Sequence, residues 1–296
     1  MLNFRKILPT DRDTLHAHFY QAEGHGSEYS FANLYLWGDQ RVAFADETPL
    51  ILSRFGTWYS YLMPLNADRE KTIALLCEDA QERGIPFRLF GLLPEETAWL
   101  QARYPQAFSY RPTRDSFDYV YDIDRLAELH GKKLQAKRNH CNRFEEAYPD
   151  YRVLPLTKEL LPRCAAFAER WYDEHMQEHP NTDYTGEQAA LSKAFSHFDE
   201  LHMVGILIET TDGDVAFSMG NRIREDTFDV NFEKALAQVN GAYPLVNREF
   251  ARRIRAACPE IRFLNREDDM GIEGLRRAKE SYFPDLLLEK AVAEAL

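Results

Sequence analysis

Short apolar runs typical of strands alternate with longer segments of helical periodicity along the whole chain, and this order limits the folds that the chain can adopt. The first strands are predicted at residues 41–45, 50–55 and 58–64. Residues 68–83 follow with apolar side chains at helical spacing and end at Gly84, a residue type that commonly terminates helices. Strands joined by helices, with hairpin signals among them, predict a mixed α/β fold.

The rest of the chain continues this pattern. Further strands are predicted at residues 87–92, 117–123, 151–156, 202–209, 215–223, 227–232 and 261–265. Further helices are predicted at residues 94–104, 132–148, 160–178, 186–198, 243–258 and 272–281. The turn at residues 211–214 is typical of a β-hairpin. We expect a domain boundary near residues 124–131, which gives domains of residues 1–124 and 125–296.

Length and charge narrow the classes of function. A chain of 296 residues is long enough for two domains, and its 45% hydrophobic and 13% aromatic residues exclude a disordered chain. The net charge of −12 argues against a general nucleic-acid binder, because such proteins usually carry a basic balance. Any site for an anion must therefore depend on a local cluster of basic residues.

Targeting and metal-site signals are absent from the sequence. The N-terminus has no apolar stretch of the signal-peptide type, and no window approaches the roughly 18 consecutive apolar residues of a spanning helix. The cysteines are scattered without a CxxC pair, and the histidines lack zinc-site spacing. We therefore expect a cytoplasmic protein with reduced thiols, no metal and no integral membrane segment.

The run from Gly131 to Arg143 is basic and contains no acidic residue. Its cations are Lys132, Lys133, Lys137, Arg138 and Arg143. Helical spacing places Lys137 within an apolar stripe and Arg138 at its edge. Because burying an ammonium group without a partner is costly, Lys137 either extends to water, pairs with a buried carboxylate, or lines a site for an anionic substrate.

The segment from Asp229 to Ala235 places a carboxylate next to a lysine at the end of a strand. Strand alternation puts Asn231 and Glu233 on one side and Lys234 on the other, together with Val230 and Phe232. Glu233 could serve as a general base with Lys234 as its electrostatic partner. An ion pair that closes the end of a sheet explains the same residues equally well.

The segment from Phe263 to Lys279 leaves a strand, passes through charged residues and enters a helix. Asp268 and Asp269 are expected to stabilise the N-terminus of that helix. Gly271 and Gly274 would allow close approach of a phosphate to the same N-terminus. The nearby acids weaken this alternative, unless they bind a substrate amine instead.

The side chains of this last helix are predicted to divide between two faces. Arg276 and Lys279 share one face, and Leu275, Ala278 and Tyr282 point toward the core. The sequence contains neither a GxSxG nucleophile motif nor a GxxxxGK[ST] phosphate loop, so these hydrolase and nucleotide sites have no support.

Three stretches together resemble a known family. They are YVYDIDRLAELHGKKLQAKRNHCNRFEEAYPDY (119–151), DTFDVNFEKALAQVNGAYPLVNREFARRI (226–254) and FLNREDDMGIEGLRRAKESYFP (263–284). They look like bacterial proteins grouped with the C-terminal domain of phosphatidylglycerol lysyltransferases, over residues from about 20 to 290. The resemblance implies tandem GNAT-like domains, each a mixed, mostly antiparallel sheet flanked by helices. Fem-type peptidoglycan aminoacyltransferases are similar to this arrangement, in which the two domains face a cleft.

The resemblance also implies an acyl- or aminoacyltransferase. The donor would be an aminoacyl-tRNA or an acyl-CoA, used as a co-substrate with no tightly bound cofactor, and the acceptor would be a small molecule, lipid or peptide. Glu233 and Lys234 are the candidate catalytic residues. The candidate substrate-binding residues are Lys132, Lys133, Lys137, Arg138, Asn139, Asn231, Asn247, Asn265, Arg266, Glu267, Asp268, Arg276 and Lys279.

Two departures from the family pattern limit the inference. The sequence shows no membrane-spanning N-terminal part like that of the lysyltransferases, which weighs against a lipid acceptor. It also lacks the RxxGxG/A loop with which acetyl-CoA enzymes bind pyrophosphate, which makes CoA the weaker donor. Two further interpretations remain: a non-catalytic protein that binds a small molecule or a nucleic-acid end, and a binder of tRNA or of a lipid surface. The donor, the acceptor and the oligomeric state do not follow from the sequence.

Overall fold

A computed structural model describes residues 1–21, 24, 26–65, 68–178 and 182–296. Contacts group the chain into two compact units. The first unit contains residues 1–118, 268–273 and 287–296, and the second contains residues 119–267 and 274–286. The expected boundary at residue 124 stays a prediction, and the contacts add that two short C-terminal segments group with the N-terminal residues.

Strands and helices alternate as the sequence predicts. The strands are β1 (Arg5–Lys6), β2 (Asp39–Ala45), β3 (Thr48–Phe55), β4 (Trp58–Leu62), β5 (Arg88–Leu92), β6 (Phe108–Pro112), β7 (Asp118–Asp122), β8 (Arg152–Pro155), β9 (Val204–Thr210), β10 (Gly213–Arg222), β11 (Thr227–Ala235), β12 (Phe263–Asn265), β13 (Leu286–Leu288) and β14 (Ala291–Ala295). The α-helices are α1 (Arg12–Phe19), α2 (Phe31–Leu36), α3 (Arg69–Arg83), α4 (Pro94–Arg103), α5 (Ile123–Glu128), α6 (Gln135–Ala147), α7 (Leu161–Glu178), α8 (Thr185–Ser196), α9 (Ala242–Ala257) and α10 (Glu273–Glu280).

The first unit is built on a seven-stranded sheet in the order β1-β2-β3-β4-β5-β14-β6. Neighbouring strands are antiparallel except β4 and β5, which are parallel. Helix α3 contributes Leu76 to the core of this unit, where Tyr61 and Leu89 are also fully buried. The predicted mixed, mostly antiparallel sheet is confirmed.

The final strand of the chain, β14, did not emerge from the sequence pattern. Its sequence, AVAEA, has a low preference for β structure, because alanine and glutamate are depleted in strands. It forms because it lies between two other strands, with Ala293 paired with Leu89 on β5 and with Tyr110 on β6. Tertiary pairing therefore overrides local preference here.

A buried ion cluster immediately precedes β14. The Lys290 ammonium lies 2.6 Å from Glu28 Oε2 and 2.7 Å from Asp118 Oδ1. Asp118 also accepts a hydrogen bond from the Ser27 backbone amide at 2.7 Å. The Lys290 side chain is 4% exposed and that of Asp118 is 1% exposed, so the ammonium offsets part of the cost of removing the two carboxylates from water.

The second unit has a seven-stranded sheet in the order β13-β7-β12-β11-β10-β9-β8. Strands β11 and β12 are parallel, while β7 with β12 and the β11-β10-β9-β8 series are antiparallel. Helix α9 packs on this sheet and against α5 and α6. The second predicted mixed sheet is therefore also confirmed.

A bulge interrupts β11. Met219 pairs with Phe232 and Asn221 pairs with Asp229, so three steps along β11 lie opposite two steps along β10. Gly220 lies at this slip, and a Cβ atom there would be 1.8 Å from the Asp229 carbonyl oxygen. Only glycine permits the two backbones to approach so closely.

The structure corrects the expected positions of two residues of the C-terminal helix. Lys279 is buried and Ala278 is exposed, so the predicted inward and outward positions of these two residues are reversed. Helix α10 begins at Glu273, and the Asp268 and Asp269 side chains accept hydrogen bonds from the amides of residues 270 and 271 in the preceding turn. These hydrogen bonds stabilise the turn that precedes the helix, and the expected role of the two aspartates at the helix N-terminus stays a prediction.

Among the described residues, no helix combines the length and the apolar composition needed to cross a bilayer.

We predict that Lys290→Met destabilises the protein by about 3–5 kcal/mol, because the substitution removes the ammonium that pairs with two buried carboxylates. The free energy of unfolding in urea, followed by circular dichroism, measures the loss. Lys71→Met is the matched control, since Lys71 forms a 3.3 Å ion pair with Asp46 at which both side chains are exposed. Its expected cost is about 0–1 kcal/mol. Equal losses in the two variants would contradict a structural role for the buried cluster.

Candidate functional site

An ion pair between Glu233 and Arg266 forms the centre of the candidate site. Glu233 lies near the end of β11, and Arg266 directly follows β12, the parallel neighbour of β11. The Arg266 Nη2 atom donates to Glu233 Oε1 at 2.7 Å. The two side chains are 12% and 11% exposed, so both charges lie largely out of water. Each charge therefore needs the other, since an isolated ion is expensive to bury.

Asn247 of α9 completes the contacts of the carboxylate. Its side chain donates to Glu233 Oε2 at 3.1 Å, so each carboxylate oxygen accepts a hydrogen bond. Two buried atoms around this pair have no hydrogen-bond partner among the described residues: Arg266 Nη1 and Asn247 Oδ1. Buried polar atoms are normally satisfied, so this donor and this acceptor are available to a ligand.

Two tyrosine rings line the guanidinium. The Arg266 Cζ atom lies 4.9 Å from the centroid of the Tyr282 ring and 5.7 Å from that of Tyr121. The two rings meet edge to face at 6.4 Å. Burial raises the pKa of both phenols, so they stay protonated at neutral pH. The rings thus confine the cation without adding negative charge.

Lys137 of α6 brings a second cation to the same place. Its ammonium lies 4.2 Å from the centroid of the Tyr282 ring. Burial, followed by the neighbouring Arg266, lowers the pKa of Lys137, while Glu233 opposes the shift. Residues that are far apart in sequence, Lys137, Glu233 and Arg266, therefore converge on one site within the second unit. We call this set, with Asn247, Tyr121 and Tyr282, the Glu233 cluster.

Lys279 anchors the backbone beside the cluster. Its ammonium donates to the carbonyl oxygen of Arg266 and lies 5.8 Å from the centroid of the Tyr119 ring. Glu267, which follows Arg266 in the chain, has a φ angle of 53°. This left-handed conformation costs free energy in residues other than glycine. Lys279 thus helps to hold a strained turn that positions the guanidinium.

A second polar group lies at the same end of the sheet. Asn231 donates to Glu267 Oε1 at 3.1 Å and to Asp229 Oδ2 at 3.2 Å. Asn265 accepts from the Glu267 backbone amide at 2.8 Å. Asn231 and Asn265 are both buried, so these predicted substrate-binding residues also support the turn that carries Arg266.

Lys234 does not join the cluster, which corrects the expectation that it is the electrostatic partner of Glu233. Its side chain is 2% exposed and donates to Glu187 Oε1 of α8 at 2.9 Å. The ammonium also lies 3.6 Å from the centroid of the Trp171 ring and 4.4 Å from that of Tyr172, both on α7. Since neighbouring strand residues point to opposite faces, Arg266 rather than Lys234 is the cation beside Glu233.

The remaining basic residues of the 131–143 run have different surroundings. Lys132, Lys133 and Asn139 are exposed, and Lys133 lies 5.1 Å from the centroid of the Phe283 ring. Arg138 donates to the backbone carbonyls of residues 129 and 131 and so supports the turn before α6. The predicted apolar stripe around Lys137 consists of Leu134, Cys141, Phe144 and Tyr148; the first three are buried and Tyr148 is half-buried.

Two further predicted residues lie outside the Glu233 cluster. Arg276 is half-buried on α10. Asp268 lies in a segment that groups with the first unit.

Sequence reasoning missed Tyr121 and Tyr282 as site residues. Tyr121 belongs to the alternating stretch YVYD of β7, and Tyr282 follows α10 directly. Both residues have the sequence pattern of ordinary core aromatics, and their rings are indeed buried. Only their contact with Arg266 distinguishes them from other core residues. The available signal was that the strand containing Tyr121 could pair with the strand that precedes Arg266, which would bring the ring near the guanidinium.

The cluster offers electrostatic and proton-transfer chemistry. Arg266 pairs with the Glu233 carboxylate, Lys137 lies beside the same cluster, and the buried Arg266 Nη1 has no hydrogen-bond acceptor among the described residues. Burial raises the pKa of the nearby Cys141 to about 11, so its thiol is a poor nucleophile at neutral pH. The described residues contain no group of three His, Cys, Asp or Glu that could hold a metal ion.

Comparison with known proteins identifies similar sequences and folds. The profile of the family described as phosphatidylglycerol lysyltransferase, C-terminal, matches residues 19–293. A conserved protein of unknown function from Bacteroides thetaiotaomicron VPI-5482 is 35% identical, covers 100% of both chains and superposes with a TM-score of 0.93. An uncharacterized protein of Mycoplasmoides gallisepticum is 22% identical over 206 residues. That alignment includes 68% of this chain and 62% of the relative, so the chain spans less than two thirds of that curated relative.

More distant structures show the fold alone. The L-PGS from Bacillus licheniformis has a TM-score of 0.66 at 16% identity and covers 96% of this chain and 92% of its own. A tandem GNAT protein from the clavulanic acid biosynthesis pathway has a TM-score of 0.53 at 10% identity and covers 100% and 98%. The predicted tandem GNAT-like fold is confirmed.

We predict that the two partners of the buried Lys234–Glu187 pair are unequally important for stability. Glu187→Gln leaves a buried ammonium without its carboxylate and should cost about 3 kcal/mol. Lys234→Met leaves a carboxylate that is 29% exposed and should cost about 1 kcal/mol. Urea unfolding measures both, and a larger loss for Lys234→Met would contradict the assignment.

The same pair predicts a dependence on pH. Burial lowers the pKa of Lys234 although Glu187 opposes the shift, so folded Lys234 loses its proton at a lower pH than unfolded lysine. Between the folded value and the unfolded value of about 10.4, the unfolded state binds more protons and stability rises with pH. We therefore compare the free energies of unfolding of the unmodified protein and of Lys234→Met across this window. The unmodified value minus the variant value should increase with pH. A constant difference would count against this prediction.

Proposed function

Since the chain belongs to the family of phosphatidylglycerol lysyltransferase C-terminal domains, we propose that it is an acyl- or aminoacyltransferase whose reaction takes place at the Glu233 cluster. The donor is an acyl or aminoacyl ester or thioester attached to a phosphate-bearing carrier. The acceptor is an amine or a hydroxyl group of an unidentified small molecule, lipid or peptide.

One observation carries the proposal: the buried Arg266 guanidinium has an N–H with no acceptor among the described residues. Acyl transfer places negative charge on the carbonyl oxygen of the donor as the acceptor attacks. An N–H group that is held in place within a poorly hydrated site stabilises that negative charge more than water does. Arg266 Nη1 is therefore assigned to the carbonyl oxygen.

Glu233 has the role of holding this guanidinium in place. The prediction that Glu233 is the general base stays a prediction, and its contacts favour another assignment. One of its oxygens accepts from Arg266 and the other from Asn247. A carboxylate with these two contacts orients Arg266 and balances its charge, which keeps the guanidinium aligned before the donor arrives.

The basic residues at the start of α6 suit the carrier. Lys132 and Lys133 are exposed and lie within five residues of Lys137 along the chain. Phosphate groups bind readily to such lysines, and the attraction weakens as salt screens it. Aminoacyl-tRNA and acyl-CoA both carry phosphates, so this feature supports the donor class without choosing between them.

We predict that Arg266→Met lowers the rate of transfer by about 10²–10³-fold, the usual effect of removing an oxyanion donor. The measurement is the transfer of a labelled acyl group from a panel of charged tRNAs and acyl-CoAs to amine and hydroxyl acceptors, including peptides and phospholipid vesicles. Arg152→Met is the matched control, because the Arg152 side chain is 67% exposed and pairs with Glu209 of the same unit.

The same assay distinguishes a transferase from a protein that binds the donor but catalyses no reaction. Failure of the unmodified protein to release or transfer an acyl group with every donor would reject the transferase proposal. A donor that binds with equal affinity to the unmodified protein and to Glu233→Gln, without turnover, would indicate a binding protein that keeps the fold.

A further inference from the structure

Lys137 presents an amine that makes no hydrogen bond to any residue that the structure describes. Its Nζ atom has no hydrogen-bond acceptor among the described residues, in contrast to the buried Lys234, Lys279 and Lys290, which each donate to an oxygen. The Nζ atom lies 4.2 Å from the centroid of the Tyr282 ring. A half-buried amine of this kind keeps its lone pair or its protons available to a ligand.

The groups that face this amine come from four elements. Glu233 of β11 and the Tyr282 ring after α10 favour the ammonium form, as does Cys141 of the same helix α6 if its thiol ionises. Burial and Arg266 after β12 favour the neutral amine, and these two effects are larger, so the pKa of Lys137 is lowered. Arg266 thus acts on Lys137 as a fixed like charge.

The other groups of the cluster are unsuited to accept a proton. Both oxygens of Glu233 accept hydrogen bonds from protein donors. The Tyr121 hydroxyl donates to the Lys279 carbonyl oxygen at 2.8 Å, and burial keeps both Tyr121 and Tyr282 protonated. Cys141 is fully buried and its thiol likewise stays protonated.

We propose that the ε-amino group of Lys137 is the proton acceptor of the transfer reaction, an assignment that rests on the proposed function. The acceptor nitrogen or oxygen attacks the donor carbonyl carbon, and its proton moves to the neutral Lys137 amine. The new bond from the acceptor to the acyl carbon forms, and the bond from that carbon to the oxygen or sulfur of the carrier breaks. Lys137 then delivers the proton to the departing oxygen or sulfur, so charge and atoms balance and no redox partner is needed.

The first test distinguishes the positive charge of residue 137 from its ability to accept a proton. Lys137→Arg keeps a cation that does not lose its proton, and Lys137→Met removes the amine. We expect each to lower kcat at least about 100-fold, as loss of a general base does, while the KM for the donor rises less than about threefold in Lys137→Arg. Added methylamine or ethylamine should restore at least about a tenth of the activity to Lys137→Ala, whose short side chain leaves room for an amine, and none to Lys137→Arg, whose side chain fills the space.

A matched control uses an exposed lysine of the same unit. Lys158 pairs with Asp199 and its side chain is 66% exposed, so Lys158→Arg should leave kcat unchanged. The pH profile of kcat in the unmodified protein should rise through the titration of Lys137, and this limb should be absent from the residual activity of Lys137→Met.

The second test requires no turnover. Competitive labelling of the folded protein with a trace amine-reactive reagent, resolved by peptide mass spectrometry, reports the pH at which each lysine loses its proton. Lys137 should reach half-maximal reactivity at a lower pH than Lys158, whose pKa is raised by its hydrogen bond to Asp199. Reactivity of the two lysines at the same pH would overturn the proposal.

The outcomes distinguish the two levels of inference. Transfer by the unmodified protein that persists in Lys137→Arg would overturn the role of Lys137 and leave the proposed function intact. Transfer that falls at least about 100-fold in Arg266→Met and in Lys137→Arg, with rescue of Lys137→Ala by added amines, would support both. The absence of transfer by the unmodified protein would reject the proposed function, and the role of Lys137 with it.

Discussion

The ion pair between Glu233 and Arg266 is the interaction on which the organisation of the second unit's candidate site depends. Both side chains are about nine-tenths buried, and neither charge could remain there alone. Asn247 supplies the second hydrogen bond to the carboxylate, and two tyrosine rings enclose the guanidinium. The cost of burying these charges is offset only when strands β11 and β12 and helix α9 are all in place. The site is therefore a product of the packed unit rather than of any one motif.

Parallel pairing explains why these residues meet. Strand β12 pairs with β11 so that both run toward the same edge of the sheet, and Glu233 and Arg266 lie beyond the paired positions at that edge. Lys279 then holds the Arg266 carbonyl from α10, in the strained turn that includes Glu267. The strain is consistent with a functional position, since left-handed residues other than glycine persist where surrounding contacts compensate for them. Lys137 reaches the same edge from α6, which brings the second cation against the Tyr282 ring.

Sequence patterns predicted most helices and strands to within a few residues. They failed where tertiary contacts determine whether a strand forms or which way a side chain points. Helices α3, α6, α7 and α9 are long and periodic, so their existence followed directly from the pattern. Strand β14 is rich in alanine and exists because β5 and β6 provide partners on both sides. The prediction for Lys279 of α10 was wrong because a lysine is expected to point to water, whereas the Lys279 ammonium donates to a backbone carbonyl inside the unit. Lys234 is buried for a similar reason, since Glu187 and two aromatic rings compensate its charge.

The amino-acid sequence by itself determined the alternation of strands and helices, the family resemblance and the residue types available for chemistry, because these depend on local periodicity and on recognisable motifs. It also identified Lys137 as a lysine within an apolar stripe. Only the tertiary structure decided that Arg266, and not Lys234, is the partner of Glu233, and that Tyr121 and Tyr282 enclose it. The physical reason is that partner choice for a buried charge depends on strand register, on the bulge in β11 and on which helix covers each face. These are long-range properties of the packed unit, so no local stretch of sequence specifies them.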